Sequence, residues 1–470
     1  MHNSMEIISV RTRTLTGPEG KGSVLRSQSW RAAFTKLLLY PALAGAVFCG
    51  GQVGAQEMMR ESMSTPSSTS TSTISNNTNA TDYNLRVGSV KFSADLVAGV
   101  EYIDNISYSE VNRTSDEVIR LGLNILTIVP LTKLNTLRFD LGVGFVRYLE
   151  HPEATSGDVF ITPGSQLLLD FYVGEYFRFN VHDAFDIRQD PVDVAELSNV
   201  TNFGRFTNTA GITGTADLHN GLVFTAEYDH FNYVALNDDF DYLNRSAEQL
   251  YGSVSYQVRP RSFLGVEGGY TTTDYDRNGL NDSDAYTVGG FLDTTITPYF
   301  RLVVRGGYQS ASFDTGGTVD AGNYANFAGV LGLPPNGTFT DRYSLSTFYW
   351  NATLNNRINA YLTHSLSLGR ETDLGLISNY VKVDYIRYNL AWRVLSNVTL
   401  AGDLFYDHDV ESGGPFNERI NRYGGDVSLG YQFNRHFAGT LHYAYIQKDS
   451  DAYLRDYYQN RVGLDVDYHF

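Results

Sequence analysis

The chain has 470 residues and a formal charge of −17, with 33 Tyr, 27 Phe and 44 Gly against 5 Met, 3 Trp and one Cys. Charged residues make up 19%, below the roughly 25% of soluble domains, yet no apolar run reaches the roughly 18 residues that a membrane-spanning helix needs. The acidic balance excludes a nucleic-acid partner, which requires a basic face, and a lone Cys49 excludes an internal disulfide.

Residues 37–49 form one compact apolar run behind Arg26, Arg31 and Lys36, and Val53-Gly54-Ala55 supply a small-x-small exit. A basic flank, a short apolar stretch and such an exit predict a secretory signal over 1–55, cleaved after Ala55. The basic region before it is long, and the true start is expected near Val24 or Leu25, which alternative bacterial start codons can encode. The signal carries six Lys/Arg and two Asp/Glu, so its removal takes the charge from −17 to −21. Residues 56–86 are dominated by Ser, Thr and Asn, bury almost nothing, and read as a disordered linker.

From 87 to 470 one pattern repeats. Val398, Leu400, Gly402, Leu404 and Tyr406 alternate with Thr399, Ala401, Asp403, Phe405 and Asp407, and Phe300, Leu302, Val304, Gly306 and Tyr308 alternate with Arg301, Val303, Arg305, Gly307 and Gln309. Successive side chains on a strand point to opposite faces, so each segment has one greasy and one wet face. Short breaks at 131–135, 173–176, 219–221, 259–261, 297–298, 357–358, 396–397 and 434–435 alternate with long ones near 103–115, 150–157, 190–205, 235–245, 276–284, 314–340, 372–379, 410–418 and 449–455. Eight short and nine long breaks predict about 18 strands of about 11–15 residues, long enough to cross a bilayer when tilted. The expected fold is all-β: a transmembrane antiparallel barrel with short periplasmic turns and long extracellular loops. A propeller would need Gly-His and Trp-Asp signatures, which are missing.

Aromatics are expected at both rims. Tyr176, Phe177, Tyr299, Phe300, Phe263, Phe433 and Phe437 lie beside short breaks, and Tyr102, Tyr148, Tyr233 and Tyr406 lie near long ones. At Ile386-Arg387 the alternation slips, because Val381, Val383 and Tyr385 precede Tyr388, Leu390 and Trp392; a β-bulge is expected there.

The chain ends on Leu464, Val466, Tyr468 and Phe470, all on one strand face. This resembles the C-terminal strand of bacterial outer-membrane proteins, which implies the barrel-assembly machinery as a partner. Near the other end, Phe92-Ser93-Ala94-Asp95-Leu96, Gly99-Val100 and Tyr102-Ile103-Asp104-Asn105-Ile106, with Gly-Gly-Tyr strands at 268–270 and 306–308, resemble a β-barrel porin family of Gram-negative bacteria. That family is often linked to exopolysaccharide gene clusters. The resemblance spans about 87–470 and implies an outer-membrane pore embedded in outer-membrane lipid; it names no substrate, cofactor or catalytic residue.

No metal-ligand spacing, phosphate-cradling motif or nucleophile constellation stands out, and no enzyme or cofactor is expected. His364 and Ser365 are neighbours on a strand and point apart. Asp407-His408-Asp409 sits at a strand end. What remains is the wet face. Reading the alternation outward, the lumen candidates are Asp95, Asp140, Asp170, Asp217, Glu227, Glu267, Asp293, Asp403, Asp426, Asp465 and Asp467. Arg120, Arg138, Arg178, Arg301, Arg305, Lys382 and Arg393 accompany them. Such a lumen either pairs its charges to stay hydrated or screens polar solutes by charge, with its acidic excess favouring cations. A channel of this strand number is wide enough for water, and either 190–205 or 314–340 is expected to fold inward as a constriction. The function read from these features is a pore for hydrophilic solutes. The alternatives are an exopolysaccharide export channel and a non-conducting structural or adhesive barrel.

Overall fold

The computed structural model describes residues 83–155, 159–277, 280–314, 341–413 and 417–470, with the backbone of 319–320 and 338–339. The signal, and all but the end of the linker, lie outside the described residues. Leu85–Val87, which spans the expected end of the linker at 86 and the first residue beyond it, forms a short strand that folds back on Val90–Phe92 through a turn in which Gly88 adopts a φ of 63°. Side chains rarely adopt that angle, and glycine does so without strain.

Eighteen strands make one antiparallel wall in chain order. They are β1 (Val90–Ile103), β2 (Asp116–Pro130), β3 (Thr136–Tyr148), β4 (broken into Val159–Ile161 and Gln166–Val173), β5 (Phe177–Arg188) and β6 (Arg205–Asp217). The middle of the wall holds β7 (Leu222–Ala235), β8 (Arg245–Arg259), β9 (Ser262–Tyr275), β10 (Ser283–Thr297), β11 (Phe300–Phe313) and β12 (Leu345–Arg357). It is completed by β13 (Leu362–Leu374), β14 (Tyr380–Leu395), β15 (Val398–Glu411), β16 (Arg419–Gln432), β17 (Phe437–Ser450) and β18 (Tyr457–His469). Strand β18 pairs with β1 from Asp95↔His469 to Ile103↔Arg461, so the sheet closes on itself. Closure pairs the edge backbone groups, as a sheet in hydrocarbon requires. The break in β4 falls at Pro163-Gly164, where Pro offers no N–H; the Ser165 hydroxyl accepts the Gly142 N–H at 3.0 Å and bridges the gap.

The two faces differ as the alternation requires. Leu121, Leu250, Val266, Val288, Leu404 and Leu464 are exposed on the outside, while the side chains between them are polar, small or buried. A continuous apolar outer surface on a closed wall fits a bilayer. Leu404, 63% exposed at the middle of β15, is a test of that orientation. Leu404→Arg is expected to destabilise the barrel by about 2–4 kcal/mol, read as a lowered urea midpoint on refolding into vesicles. The same substitution in a detergent-free soluble protein would cost almost nothing at an exposed site.

Tyr102, Tyr176, Phe177, Tyr299, Phe433 and Tyr406 are exposed at the ends of the wall, as rim aromatics should be. Phe263, Tyr148 and Tyr233 lie on the lumen faces of β9, β3 and β7, at positions whose strand neighbours Leu264 and Tyr228 mark the outside. Nearness to a loop locates a residue in height and leaves its face undetermined.

The bulge expected at Ile386-Arg387 is absent. The register runs unbroken through Ile386↔Tyr406 and Arg387↔Phe405, and the true shifts fall just before short turns, between Gln257/Arg259, Thr295/Thr297 and Arg393/Leu395. The apparent slip marks a change of surroundings along a regular strand. Toward the long-loop end, Val381, Val383 and Tyr385 are buried in an apolar cluster inside the wall. On the opposite face Asp384 pairs with Arg370 through two contacts of 2.7 and 2.6 Å. Inside is apolar there and outside is wet, the reverse of the membrane zone.

Candidate functional site

Long loops gather at one end of the wall and do not all lie on the surface. Val194, Leu197 and Phe203 of residues 189–204 pack with Phe240 and Leu243 of 236–244, Leu280 of 276–282, and Leu376 and Ile377 of 375–379. The 189–204 segment, which joins β5 to β6, then reaches the lumen faces of β16, β17 and β18. Arg422 donates to the Val192 carbonyl at 2.9 Å, Lys448 Nζ contacts Ser198 Oγ at 3.1 Å, and Arg455 donates to the Glu196 carbonyl. Ser198 Oγ also donates to the Arg455 carbonyl at 2.8 Å, and the Leu376 N–H donates to Glu196 Oε1 at 2.8 Å. This segment is therefore a strap folded into the barrel, the first of the two inward loops that the sequence allows. Most of 314–340 lies outside the described residues.

The strap is pinned at its start by Asp190. Arg461, on the lumen face of β18, donates to Asp190 Oδ2 at 2.6 Å and Oδ1 at 3.1 Å, and the Tyr108 hydroxyl donates to the same carboxylate. Burial by itself would raise the Asp190 pKa, but the Arg461 guanidinium and the Tyr108 and Val192 donors outweigh it and hold the carboxyl well below the usual carboxylate range. Burial pushes the Tyr108 phenol far up, so it stays protonated and able to donate. At the strap's base, Arg205 donates to Asp193 Oδ1 at 2.7 Å and to the Asp190 carbonyl at 3.0 Å. Under its far end, Lys448 and Arg455 both pair with Glu418, at 2.9 and 2.8 Å, with Lys448 fully buried. Glu418→Gln leaves two buried cations facing one fewer carboxylate and is expected to cost about 3–5 kcal/mol, read in the thermal unfolding of the detergent-folded protein.

The sequence-derived lumen residues mostly fall on the lumen face and are paired there. Asp95 contacts His469 Nδ1 at 2.6 Å, Asp140 accepts two bonds from Arg138 at 2.7 and 3.0 Å, and Asp170 accepts from Arg178 at 2.9 Å. Asp293 holds Arg301 through contacts of 2.9 and 2.6 Å. Arg305 pairs with Glu267, which also accepts from Tyr251 at 3.0 Å and Tyr349 at 3.2 Å. Asp465 meets His442 at 3.0 Å, and His442 also contacts Glu101, the partner of Arg120. Glu227 is buried on the lumen face of β7, Asp467 lies between Asp465 and His469 on β18, and Arg393 occupies the lumen face of β14 near its short turn.

One assignment is corrected. Lys382 lies on the face of β14 that carries Ile386 and Trp392 further along, opposite to the lumen. Polarity marks the lumen only within the bilayer, and Lys382 is beyond it. Asp217 shares the face of Thr213 and, through its pairing with Val223, that of Glu227; it lies on the lumen side at the short-turn end of β6, where its carboxylate accepts the His219 N–H at 2.9 Å and shapes the turn. Among the described residues no group of three or more His, Cys, Asp or Glu side chains is placed to hold a metal ion. His408 turns outward to Asn421 while Asp407 and Asp409 are buried inside, so that triplet does not converge.

Sequence reasoning passed over Asp190, Asp193, Glu196, Tyr108, Glu101, Glu418 and Lys448. Arg461, Arg422 and Asp407 lie on wet faces that the alternation marks, so a signal existed for them. For the strap there was none, because residues 189–204 follow no strand period and their partners lie more than 200 positions away.

A closed wall of 18 strands with an apolar outside, a charged inside and a loop strapped across that inside defines a transmembrane β-barrel of the outer-membrane type. No protein-family model matches the chain, and no curated protein matches it. Solved structures similar to it include OpdK from Pseudomonas aeruginosa with vanillate, at 12% identity, with 81% of this chain and 99% of that chain covered and a TM-score of 0.42. OccK2 (OpdF) from the same organism, in complex with glucuronate, is 11% identical over 81% of this chain and 98% of that one, with a TM-score of 0.43. A loop-deletion mutant of the outer-membrane protein OmpT of Vibrio cholerae is 13% identical over 81% and 99% of the two chains, with a TM-score of 0.37.

Proposed function

We propose that the chain is an outer-membrane pore that passes small hydrophilic solutes, with the strap and the charged wall beside it setting selectivity. The observation that carries this reading is the inward strap. A loop held inside a barrel by Asp190–Arg461, Val192–Arg422 and Ser198–Lys448 narrows a lumen that 18 strands would otherwise leave wide. The lumen charges Asp95, Asp140, Asp170, Glu227, Asp293, Arg301, Arg305, Asp403, Asp465 and Asp467 then act on whatever passes. Export by the 1–55 signal and assembly through the 464–470 strand complete the reading, with outer-membrane lipid around the belt and no enzymatic role.

A small solute fits better than a polysaccharide. A sugar polymer would slide along open aromatic faces, whereas Phe291, Phe405 and Tyr385 of the lumen side lie under the guanidiniums of Arg305, Arg422 and Arg387, at 5.1, 5.4 and 3.9 Å. Liposome swelling with a graded series of neutral sugars tests the proposal. Swelling with monosaccharides that falls off steeply for trisaccharides supports it; equal rates across the series, or none, would overturn it.

A further inference from the structure

Directly beneath the strap, against β14 to β18, lies a cavity of about 160 Å³ roofed by Val192 and Asp193. Its lining is charged, and the two signs are not arranged alike. Each cation is paired: Arg461 holds Asp190, Arg422 holds Asp407 of the same lining at 3.1 Å, and Arg387 lies 3.5 Å from Glu371 and 3.6 Å from Asp407. The carboxylates include two with no such engagement. Asp403 of β15 and Asp426 of β16 are directly opposite in the register and share the lumen face, and among the described residues neither forms an ion pair or a side-chain hydrogen bond, with Asp403 Oδ1 buried and without a partner. Asp407, in the same lining, is only 2% exposed, yet its Oδ1 accepts no hydrogen bond and has Arg387 Nη2 no nearer than 3.6 Å.

Like charges directly opposite on a sheet repel, and the lower dielectric of a narrow lumen strengthens that repulsion. His442, on the neighbouring β17, is the cation of the wall that acts on Asp426, and it is itself held by Asp465 at 3.0 Å and by Glu101. Gly425, Ala444 and Phe405 of the same lining are small or apolar and add no donors of their own. Among the described residues, the buried atoms without a hydrogen bond in this lining are Asp403 Oδ1 and Asp407 Oδ1 on the acceptor side and Arg387 Nε and Arg422 Nε on the donor side, and the facing Asp403 and Asp426 add like charge. A primary ammonium brings a compact positive charge and three donors, and would lie between the two carboxylates with a donor left for Asp407.

We infer that this cavity binds the ammonium group of a small aliphatic amine between Asp403 and Asp426, which makes amine-bearing cations the solute class that the pore selects. The inference rests on the pore reading and names the substrate class of that lumen.

The test uses the folded chain in planar bilayers with 1,4-diaminobutane as probe and succinate as its dianionic counterpart. Diaminobutane is expected to interrupt the single-channel current, and Asp403→Asn/Asp426→Asn to raise its half-blocking concentration about tenfold or more. That double variant removes a repulsion, so it should fold at least as well, checked by heat-modifiable mobility on a gel. A Glu248→Gln/Asp284→Asn variant takes the same charge from the outer wall and should leave the block unchanged. Block by succinate in place of diaminobutane, or equal block in both double variants, would overturn the inference. Calorimetric titration of the detergent-folded protein with diaminobutane reads the site independently of conduction. Binding heat lost in Asp403→Asn/Asp426→Asn supports the site even if no current flows, in which case the pore reading alone fails; no heat in the unmodified chain refutes the site.

Discussion

Replacing Arg461 with alanine is expected to release the strap and raise single-channel conductance, with larger current noise, while the barrel stays assembled. Arg461 bonds Asp190 twice, donates through Nε to Gln459 at 2.6 Å, approaches Glu101 at 4.0 Å and contacts Tyr108. Removing one partner of a buried pair costs about 3–5 kcal/mol, because the other charge is left without compensation. The wall is held by continuous backbone ladders on both sides of β18, so the loss falls on the strap. Arg461→Lys should restore only part of the effect, since an ammonium cannot reproduce the two-pronged contact.

The same pair has a pH signature. In the unmodified chain the Asp190 carboxyl is held well below its ordinary value. A depressed native pKa contributes stability that is complete above the unfolded value, about 4, and is lost only as pH falls through the depressed one. Strap anchoring through Asp190 should therefore be flat from roughly pH 8 to pH 5. In Arg461→Ala, burial acts on Asp190 without its main opposing charge, so its pKa rises and protonation sets in under mild acid. Conductance of that variant should acquire a pH dependence in the range of about 4 to 7 that the unmodified protein lacks. A pH-independent variant with unchanged conductance would show that Arg461 does not hold the strap.

Deleting Phe470 is expected to abolish most assembly in cells while sparing the protein refolded from urea. The ring is exposed on the outer face and stacks edge-on against Tyr468 at 5.0 Å, which in turn packs on Phe437 at 4.9 Å. Its backbone adds one hydrogen bond to the seam, Phe470 N–H to the Ala94 carbonyl at 3.3 Å. One bond among the many that join β18 to β1 and β17 is worth about 1 kcal/mol, too little to undo a closed wall. A large loss in cells combined with normal refolding would place the effect in recognition by the assembly machinery. Equal loss in both settings would place it in the seam.

The wall was legible from residue order because its physics is local. Hydrocarbon outside and water inside impose a period of two, and Val462, Leu464 and Val466 against Arg461, Gly463 and Asp465 display it without reference to any other strand. Strand number followed from counting breaks, since short and long connections alternate by construction in such a barrel. The site was legible only where it belongs to the wall. Asp293 and Arg301 announce their pairing by alternation, and Lys382 shows where that rule ends, at the height at which the outside becomes wet. The strap escaped because its anchors join distant stretches, Asp190 to Arg461 and Ser198 to Lys448. Lone polar residues in a loop carry no sign of what they will meet across a lumen.

The central claim is that water and ions run through the middle of this cylinder past a charged strap. Its most direct measurement is the ionic current through the protein, refolded in detergent and added to a planar bilayer in potassium chloride. The account requires discrete current steps of uniform size, a reversal potential in a salt gradient that favours potassium over chloride, and larger steps in Arg461→Ala. A bilayer that stays silent while the same sample shows intact β-structure and heat-modifiable mobility would contradict it.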